Sequence, residues 1–580
     1  MTTPPPIGPD CVAGVLARML KLRGVDRVFG LCGGHIMPIW MRLDAEGISI
    51  VDVRDERAAV YMAHAYSELS GKPGVALVTA GPGVTNAMTG IANAHIARAP
   101  VVVISGIAPV PQLHRGALQD IAHTKLVEPI TRFARTVFEP DQVPQALDQA
   151  FAFAYGDAGG EPGPVFLDFP TDVLRARVSH AVQLLEHLMP KARTEIAVDA
   201  ETLGRAVKLI QAAKRPLVIG GRGARLAGPE LVEFLNTTEV LYLDTGECKG
   251  VVPDGHPALV SAMRSAAMGE ADLIITIGRK LDFQLGYGSP AVFGHARWIR
   301  IADTATELRD NRRGDVEIFA TPRVALKALS VACSTHLPAC DASWRERLQR
   351  GHADRVERLK SGMAKASPGK DGRMHPNRLL HEVQRAVGND AVIVADGGDF
   401  LSFARVGMSC RTYLDPGSFG CIGVGTPFGI GASLALPEQT VAVLTGDGAF
   451  GFNAMEIDTA VRHHVPVLII VANNGAWQIE VHDQSMTHGR VVGTQLRRSD
   501  YAGMARSLGA FGERVEDPAQ LAGSLQRALA AMRSGQPALL DVQVSEEPMS
   551  SDARTGLAWV PDLQALAAWN AAERQWRNKE

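Results

Sequence analysis

Short apolar runs recur along the chain, with stretches of helical spacing between them. The first set is VDRVFGL at 25–31, ISIVDV at 48–53, GVALVTA at 74–80, PVVVISG at 100–106 and PVFLDFP at 164–170, preceded by a helical pattern from Val12 to Leu22. A second set holds RPLVIGG at 215–221, ADLIITIG at 271–278 and RWIRIAD at 297–303. The third holds AVIVADGG at 391–398, TVAVLTGDG at 440–448, VPVLIIVANN at 465–474 and PALLDVQVS at 537–545. Runs that are apolar at successive positions predict strands buried on both faces. Such strands alternating with helices predict parallel sheets with crossover helices.

Three α/β blocks follow, from about 8 to 185, 198 to 350 and 373 to 548. Between the second and third, Ser343 to Lys370 is densely charged and predicts a solvated helix and a linker. Beyond Pro548, the stretch DLQALAAWNAAERQW has an amphipathic helix pattern. The expected architecture is α/β throughout: three doubly wound parallel-sheet domains at 1–190, 191–355 and 356–547, with a tail over 548–580. A length of 580 residues agrees with several domains of roughly 100–200 residues each. No short-period repeat is visible. No apolar run is long enough to cross a bilayer, VPVLIIVA at 465–472 being among the longest.

Composition narrows the classes further. Hydrophobic residues make up 46% and charged residues 21%, as expected of a soluble globular chain with large cores. A net charge of −3 gives no reason to expect nucleic acid or an anionic membrane as partner. Seven cysteines stand at 11, 32, 248, 333, 340, 410 and 421, with no CxxC pair. That pattern predicts reduced, buried thiols and neither a disulfide framework nor a zinc site. MTTPPPIGPD has no basic segment followed by an apolar one, so no secretory leader is expected and a cytoplasmic location is.

The chemistry begins at TGDGAF, residues 445–450. A buried strand runs into Gly446-Asp447-Gly448. Glycines let backbone approach a phosphate, and an aspartate at a strand's carboxyl end can hold a hard cation. A second strand ends in Asn473 and Asn474, and Asn474 lies 27 positions beyond Asp447. That spacing accommodates one strand–helix–strand unit, which would bring both ends to one rim of a sheet. Oxygen ligands there suit octahedral Mg²⁺ completed by diphosphate oxygens and water.

GDG followed by NN at this distance resembles the thiamine diphosphate (ThDP)-dependent decarboxylase/lyase family, and the resemblance covers nearly the whole chain. It implies a pyrimidine-binding first domain, a nucleotide-fold middle domain and a diphosphate-binding third domain. It implies metal ligation by Asp447, Asn474 and the backbone carbonyl of Ala476. Glu56, in DVRDERAAVY, matches the glutamate that hydrogen-bonds the aminopyrimidine ring and starts a proton relay to the thiazolium. TAGPGVTNAMTGIANAHIARAPVVVISG, residues 79–106, is the most family-like stretch of the first block. Through it the resemblance gives Thr79, Pro82 and Asn86 to the cofactor. In PGSFGCIGVG, Gly420 matches a carbonyl facing the 4′-amino group, and Ile422 the aliphatic wedge that bends the cofactor. Gly446, Gly448, Ala449 and Trp477 complete the implied cofactor contacts.

The reaction class depends on other side chains. GGHI resembles the loop of benzaldehyde lyase and actinobacterial 2-hydroxyacyl-CoA lyases in which a histidine, here His35, faces the substrate. Histidine exchanges protons near neutral pH. Gln119, in RGALQDIAHTK, matches a glutamine that points at the reacting carbonyl oxygen. Glu480 follows Asn474 by six positions, and against an apolar wall it would have a raised pKa and could act as general base.

The segments GGRGARLAG, ECKGVVPDGHP, IGRKLDFQLGYG and RIADTATELRDNRRGD resemble the oxalyl-CoA decarboxylase/2-hydroxyacyl-CoA lyase branch. There the middle domain handles ADP, as activator or as part of CoA. Arg222 and Arg279 are candidates to pair with its phosphates, and Asp303 to accept from a ribose hydroxyl. The tail, with Trp559, Trp569 and Trp576, would be a lid that excludes water. The branch implies a homodimer or homotetramer with the active site between subunits. It also implies cleavage of a 2-hydroxyacyl-CoA, such as 2-hydroxyisobutyryl-CoA, to formyl-CoA and a ketone or aldehyde. Oxalyl-CoA decarboxylase, a CoA-independent carboligase such as benzaldehyde lyase or acetolactate synthase, and a non-catalytic ThDP-fold binding subunit stay open as alternatives.

Overall fold

The computed structural model of the chain describes residues 8–157, 159–190, 192–334, 340–555, 574, 575 and 578. Three parallel sheets follow one another. The first contains β1 (Arg27–Gly30), β2 (Ser49–Asp52), β3 (Gly74–Val78), β4 (Val101–Ile107), β5 (Phe133–Thr136) and β6 (Val165–Pro170), in the order β2-β1-β3-β4-β6-β5. The second contains β7 (Pro216–Gly220), β8 (Leu241–Leu243), β9 (Leu273–Ile277), β10 (Arg297–Ala302) and β11 (Val316–Phe319), in the order β11-β10-β9-β7-β8. The third contains β12 (Val392–Asp396), β13 (Thr412–Leu414), β14 (Val441–Gly446), β15 (Leu468–Asn473), β16 (Phe511–Val515) and β17 (Ala538–Gln543), in the order β13-β12-β14-β15-β17-β16.

The long apolar runs fold as expected. β4, β9, β12, β15 and β17 are buried at every position. Helices on both faces cover them, which is what a run without a polar face requires. The sequence patterns do not predict β5, β8, β11, β13 or β16, and each of these lies at the edge of its sheet. The helix expected from Val12 to Leu22 forms over those residues. The charged stretch after Ser343 is helical over Ala342–Ala364, and Trp344, Leu348 and Met363 anchor it. No helix among the described residues is long and apolar enough to cross a membrane. Cys32 departs from the expectation of buried thiols, because it is exposed.

The first and third sheets share a core. Side chains of the helix Glu56–Ser70 and of β3 and β4 pack into one cluster with those of the helix Gly425–Ala435, β14 and β15. The middle domain has separate cores and joins the others through charges. Arg225 donates to Glu68 of the first domain at 2.8 Å, to the carbonyl of Tyr413 in the third at 2.9 Å, and to the carbonyl of Glu247 at 2.8 Å. Arg98 of the first domain pairs with Glu247 at 2.9 Å, and Lys249 donates to the carbonyl of Arg405 at 2.5 Å.

Glu456 makes a further joint. Its Oε1 accepts the N–H of Arg54 at 3.1 Å and its Oε2 accepts from Thr459 at 2.7 Å. Burial pushes this carboxyl up to about 7. The folded protein therefore holds a proton there that the unfolded chain releases near its ordinary value of 4.5. Stability is lost as pH rises from that value towards 7, by an amount on the order of 3 kcal/mol. Glu456→Gln is expected to melt with wild type at pH 5 and above it at pH 8. Calorimetric Tm across that range checks the prediction, and parallel curves for the two proteins would refute it.

Candidate active site

Strand order reverses between β12 and β14, and α/β sheets open a ligand crevice at such a point. The third domain has a cleft there. Its floor is Gly397-Gly398 after β12 and Gly446-Asp447-Gly448 after β14, and its sides include Ile422, Ala449, Asn474, Ala476, Trp477 and Glu480. The structure thus brings together the residues expected around the diphosphate. Gly420, expected to face the 4′-amino group, caps the turn Gly417–Phe419 at the surface, at φ +67, and does not line this cleft.

Asp447 is buried, and its Oδ2 accepts the N–H of Gly475 at 3.1 Å. Burial pushes its carboxyl up to about 6, against the pull of the backbone N–H groups of Asn474 and Gly475. A cation alongside would hold it ionised. Asn474 Oδ1 accepts the N–H of Ala476 at 3.1 Å, which folds that loop back over the cleft. No atom lies within 4 Å of where a Cβ on Gly446 would stand, so bare backbone faces open space. Among the described residues no three His, Cys, Asp or Glu side chains gather as a metal cage. The donor set therefore fits a hard cation that takes one carboxylate and draws its other oxygens from an amide, a carbonyl and a bound diphosphate.

Sequence reasoning missed the residue that shapes this cleft from below. Asp396 ends β12, is buried, and accepts from the N–H groups of Gly397 at 2.7 Å, Gly423 at 3.1 Å and Gly425 at 2.7 Å. Those bonds fix the loop that presents Ile422. The signal was present in AVIVADGG, where an acidic residue ends an apolar run before two glycines.

Glu480 lies in the first turn of the helix Gln478–His488 and is exposed. The apolar wall expected around it does not form within the single chain, which corrects that expectation. The same helix and the helix Asp399–Gly407 tie down the start of the tail. Gln478 donates to the carbonyl of Glu546 at 2.7 Å, His482 lies 3.2 Å from the carbonyl of Pro548, and Asp399 accepts the N–H of Ser550 at 3.1 Å. Pro548 itself lines the cleft. Trp559, Trp569 and Trp576, named for the lid, lie outside the described residues.

The first sheet reverses order between β1 and β3, and the other candidates gather there. Glu56 opens the helix Glu56–Ser70 and is buried. Asn86, on the helix Pro82–Ala97, donates to its Oε2 at 3.0 Å. Thr79 follows β3, and its hydroxyl is enclosed without a hydrogen-bond partner among the described residues. An orphaned buried hydroxyl beside a buried carboxylate fits a polar ring yet to be bound. Gln119 lies close enough to His35 to act on its ring. Desolvation lowers the pKa of His35, and Gln119 opposes it. His35 is thus a neutral imidazole at neutral pH, able to accept a proton.

The middle domain departs from expectation. Its order reverses between β7 and β9, where Gly221 and Gly223 hydrogen-bond the carbonyls of Ile277 at 3.0 Å and Gly278 at 3.3 Å. A Cβ on Gly278 would lie 2.4 Å from the backbone of Gly223, so the two loops are in contact. Arg222 pairs with Asp303 at 2.6 Å. Arg279 is 1% exposed and pairs with Asp282 at 2.9 Å and Glu247 at 3.4 Å. Arg98 joins the same cluster through Glu247 and Glu307. Arg98, Arg222 and Arg279 thus face Glu247, Asp282, Asp303 and Glu307, an acidic excess. In the chain alone Arg222 and Asp303 pair with each other and Arg279 pairs with Asp282 and Glu247, so the expected role of these three residues toward ADP gains no support from the structure.

Two half-sites at the reversal points of a first and a third parallel sheet, one with a buried glutamate and one with GDG and NN, define a class. The chain belongs to the thiamine pyrophosphate enzyme family: the N-terminal TPP binding domain matches residues 11–126, the central domain 203–329 and the C-terminal TPP binding domain 397–542. It is similar to acetolactate synthase large subunit IlvG of Mycobacterium tuberculosis, with 35% identity over 94% of this chain and 97% of that one. It is also similar to 2-hydroxyacyl-CoA lyase 2 of Caenorhabditis elegans, 32% identical over 92% of this chain and 89% of that one. The human 2-hydroxyacyl-CoA lyase 2 is 31% identical over 91% and 89%.

Proposed function

We propose that the protein is a ThDP- and Mg²⁺-dependent lyase that cleaves the C1–C2 bond of a 2-hydroxyacyl-CoA to formyl-CoA and a ketone or aldehyde. The observation that carries the reading is His35, half-buried after β1 in the half-site that holds Glu56 and near Gln119. A lyase acting on a 2-hydroxy compound needs a group that takes the hydroxyl proton, and simple decarboxylation does not. Bound ThDP supplies the electron sink. Asp447, Asn474 and the carbonyl of Ala476 would hold Mg²⁺, and Glu56 would hold the pyrimidine ring. Gln119 orients the acyl oxygen. The 2-hydroxyl proton passes to His35 as C1–C2 breaks, and C2 becomes the carbonyl carbon of the departing ketone. The bonding pair stays with C1, which takes a proton and leaves as formyl-CoA.

A second reading is a carboligase of the acetolactate synthase kind, favoured by the similarity to IlvG. On the lyase reading, the adenosine end of CoA lies outside the β7–β9 crevice, whose two loops are in contact. The reading also includes a homodimer or homotetramer in which half-sites of two chains meet. Leu118, beside Gln119, is 77% exposed, and Phe452 and Met455, beyond the GDG loop, are each 44% exposed. Apolar side chains at both rims suit a buried interface.

The test incubates holoenzyme with 2-hydroxyisobutyryl-CoA, oxalyl-CoA and pyruvate in turn. Formyl-CoA with acetone from the first is expected. Formyl-CoA from oxalyl-CoA alone, or acetolactate from pyruvate, would replace the reading. His35→Gln is expected to lower kcat by about 100-fold, and exposed Glu480→Gln to change it little. The reverse ranking would make Glu480 the base.

A further inference from the structure

Neither Glu56 nor Gln119 is placed by its own helix or strand alone. Both depend on the turn at Gly81, which has φ +60 and ψ −108, a conformation open to glycine. A Cβ there would lie 2.8 Å from Cβ of Gln119, so the turn and Gln119 are in contact. Gln119 itself stands at φ +61. Immediately after the turn begins the helix that carries Asn86 to Glu56. One turn therefore sets the spacing between the Gln119–His35 pair and the Asn86–Glu56 pair.

A side chain outside both pairs holds that turn. The N–H of Gly81 donates to Nε2 of His123 at 2.8 Å. The other ring nitrogen, Nδ1, lies 3.0 Å from Oδ2 of Asp168 on β6. With Nε2 accepting, the ring's proton sits on Nδ1 and is donated to Asp168, so the carboxylate fixes which nitrogen faces the turn. His123 and Asp168 are fully enclosed, with side-chain exposures of 0% and 2%. Phe166, two residues before Asp168 on the same face of β6, meets the imidazole edge to face. Oδ1 of Asp168 has no hydrogen-bond partner among the described residues, so the pair is not part of a wider polar net.

We propose that His123 is a positioning residue for this active site, locked by Asp168 in the tautomer that holds the Gly81 turn and with it Gln119 and His35. The proposal rests on the reading of Gln119 and His35 as substrate-facing groups. Nothing in it requires His123 to touch the substrate.

Two variants separate positioning from packing. A glutamine amide reaches as far as Nε2 and can accept from Gly81, whereas an asparagine amide reaches only Nδ1 and leaves that N–H unpaired. His123→Asn in full-length holoenzyme is expected to lower kcat by about 100-fold with KM and ThDP affinity little changed. His123→Gln is expected to recover most of that loss. Hydrogen–deuterium exchange of peptides covering 79–83 and 115–121 supplies a readout that needs no substrate. Protection there should fall in the Asn variant and return in the Gln variant. Equal exchange and equal kcat in the two variants would overturn the proposal. A wild-type protein that makes no formyl-CoA while its variants still split in exchange would sink the lyase reading and leave the positioning role standing.

Discussion

Replacing Glu56 by glutamine is expected to lower kcat by about 10³-fold while the fold and ThDP affinity persist. The glutamine keeps an oxygen for Asn86, which donates to Oε2 at 3.0 Å, so the helix start is not disturbed. What it removes is a group that can exchange a proton with a ring nitrogen. The loss should therefore appear before substrate arrives, as slower H/D exchange at the thiazolium C2 of bound ThDP, read by NMR after an acid quench. Exchange at the wild-type rate would show that Glu56 is only a helix-start carboxylate favoured by the peptide dipoles.

Asp447→Asn is expected to weaken ThDP binding by about 100-fold or more, because a metal ligand loses its charge. Asp447 is the one carboxylate in the GDG loop, and among the described residues no group of three His, Cys, Asp or Glu side chains could take over a metal. Trp477 lines the same cleft, so quenching of tryptophan fluorescence during a ThDP titration at saturating Mg²⁺ gives the affinity. The fold should hold, and Tm could rise slightly, since burial already disfavours the ionised side chain. Unchanged affinity would remove Asp447 from the metal site.

The centre of each sheet was legible because a strand flanked by two others and covered on both faces has to be apolar throughout. Edge strands carry no such demand. β5 is half-exposed at all four positions, β16 at four of five, and β8 and β13 are three residues long. Nothing in their patterns separates them from loops. The same contrast holds at the site. Asp447 and Asn474 could be read because each ends a buried run. Glu480 could be placed near the cleft but not given an environment, since a helix position after a loop fixes no burial. His123 was passed over entirely. Its partners Gly81 and Asp168 stand 42 and 45 positions away, and only the folded sheet makes them neighbours. Arg222 and Arg279 are a related case. A guanidinium near a glycine-rich loop suits a phosphate and an acidic neighbour equally well, and in the chain alone Arg222 pairs with Asp303 while Arg279 pairs with Glu247 and Asp282.

Arg225 reaches into all three domains, through Glu68, Glu247 and Tyr413. Its consequence is for protein engineering. The middle domain looks like a cassette, bounded by linkers and holding cores of its own, yet it cannot be exchanged between relatives as one. A graft that brings a different residue to position 225 would leave Glu68 with His64 alone and take the guanidinium from the Tyr413 carbonyl, on two domains the graft never touched. Chimaeras of such enzymes therefore inherit their compatibility from the side chains at the seam, Arg225 foremost with Arg98 and Lys249, and recombination points should be chosen to keep these with their acceptors.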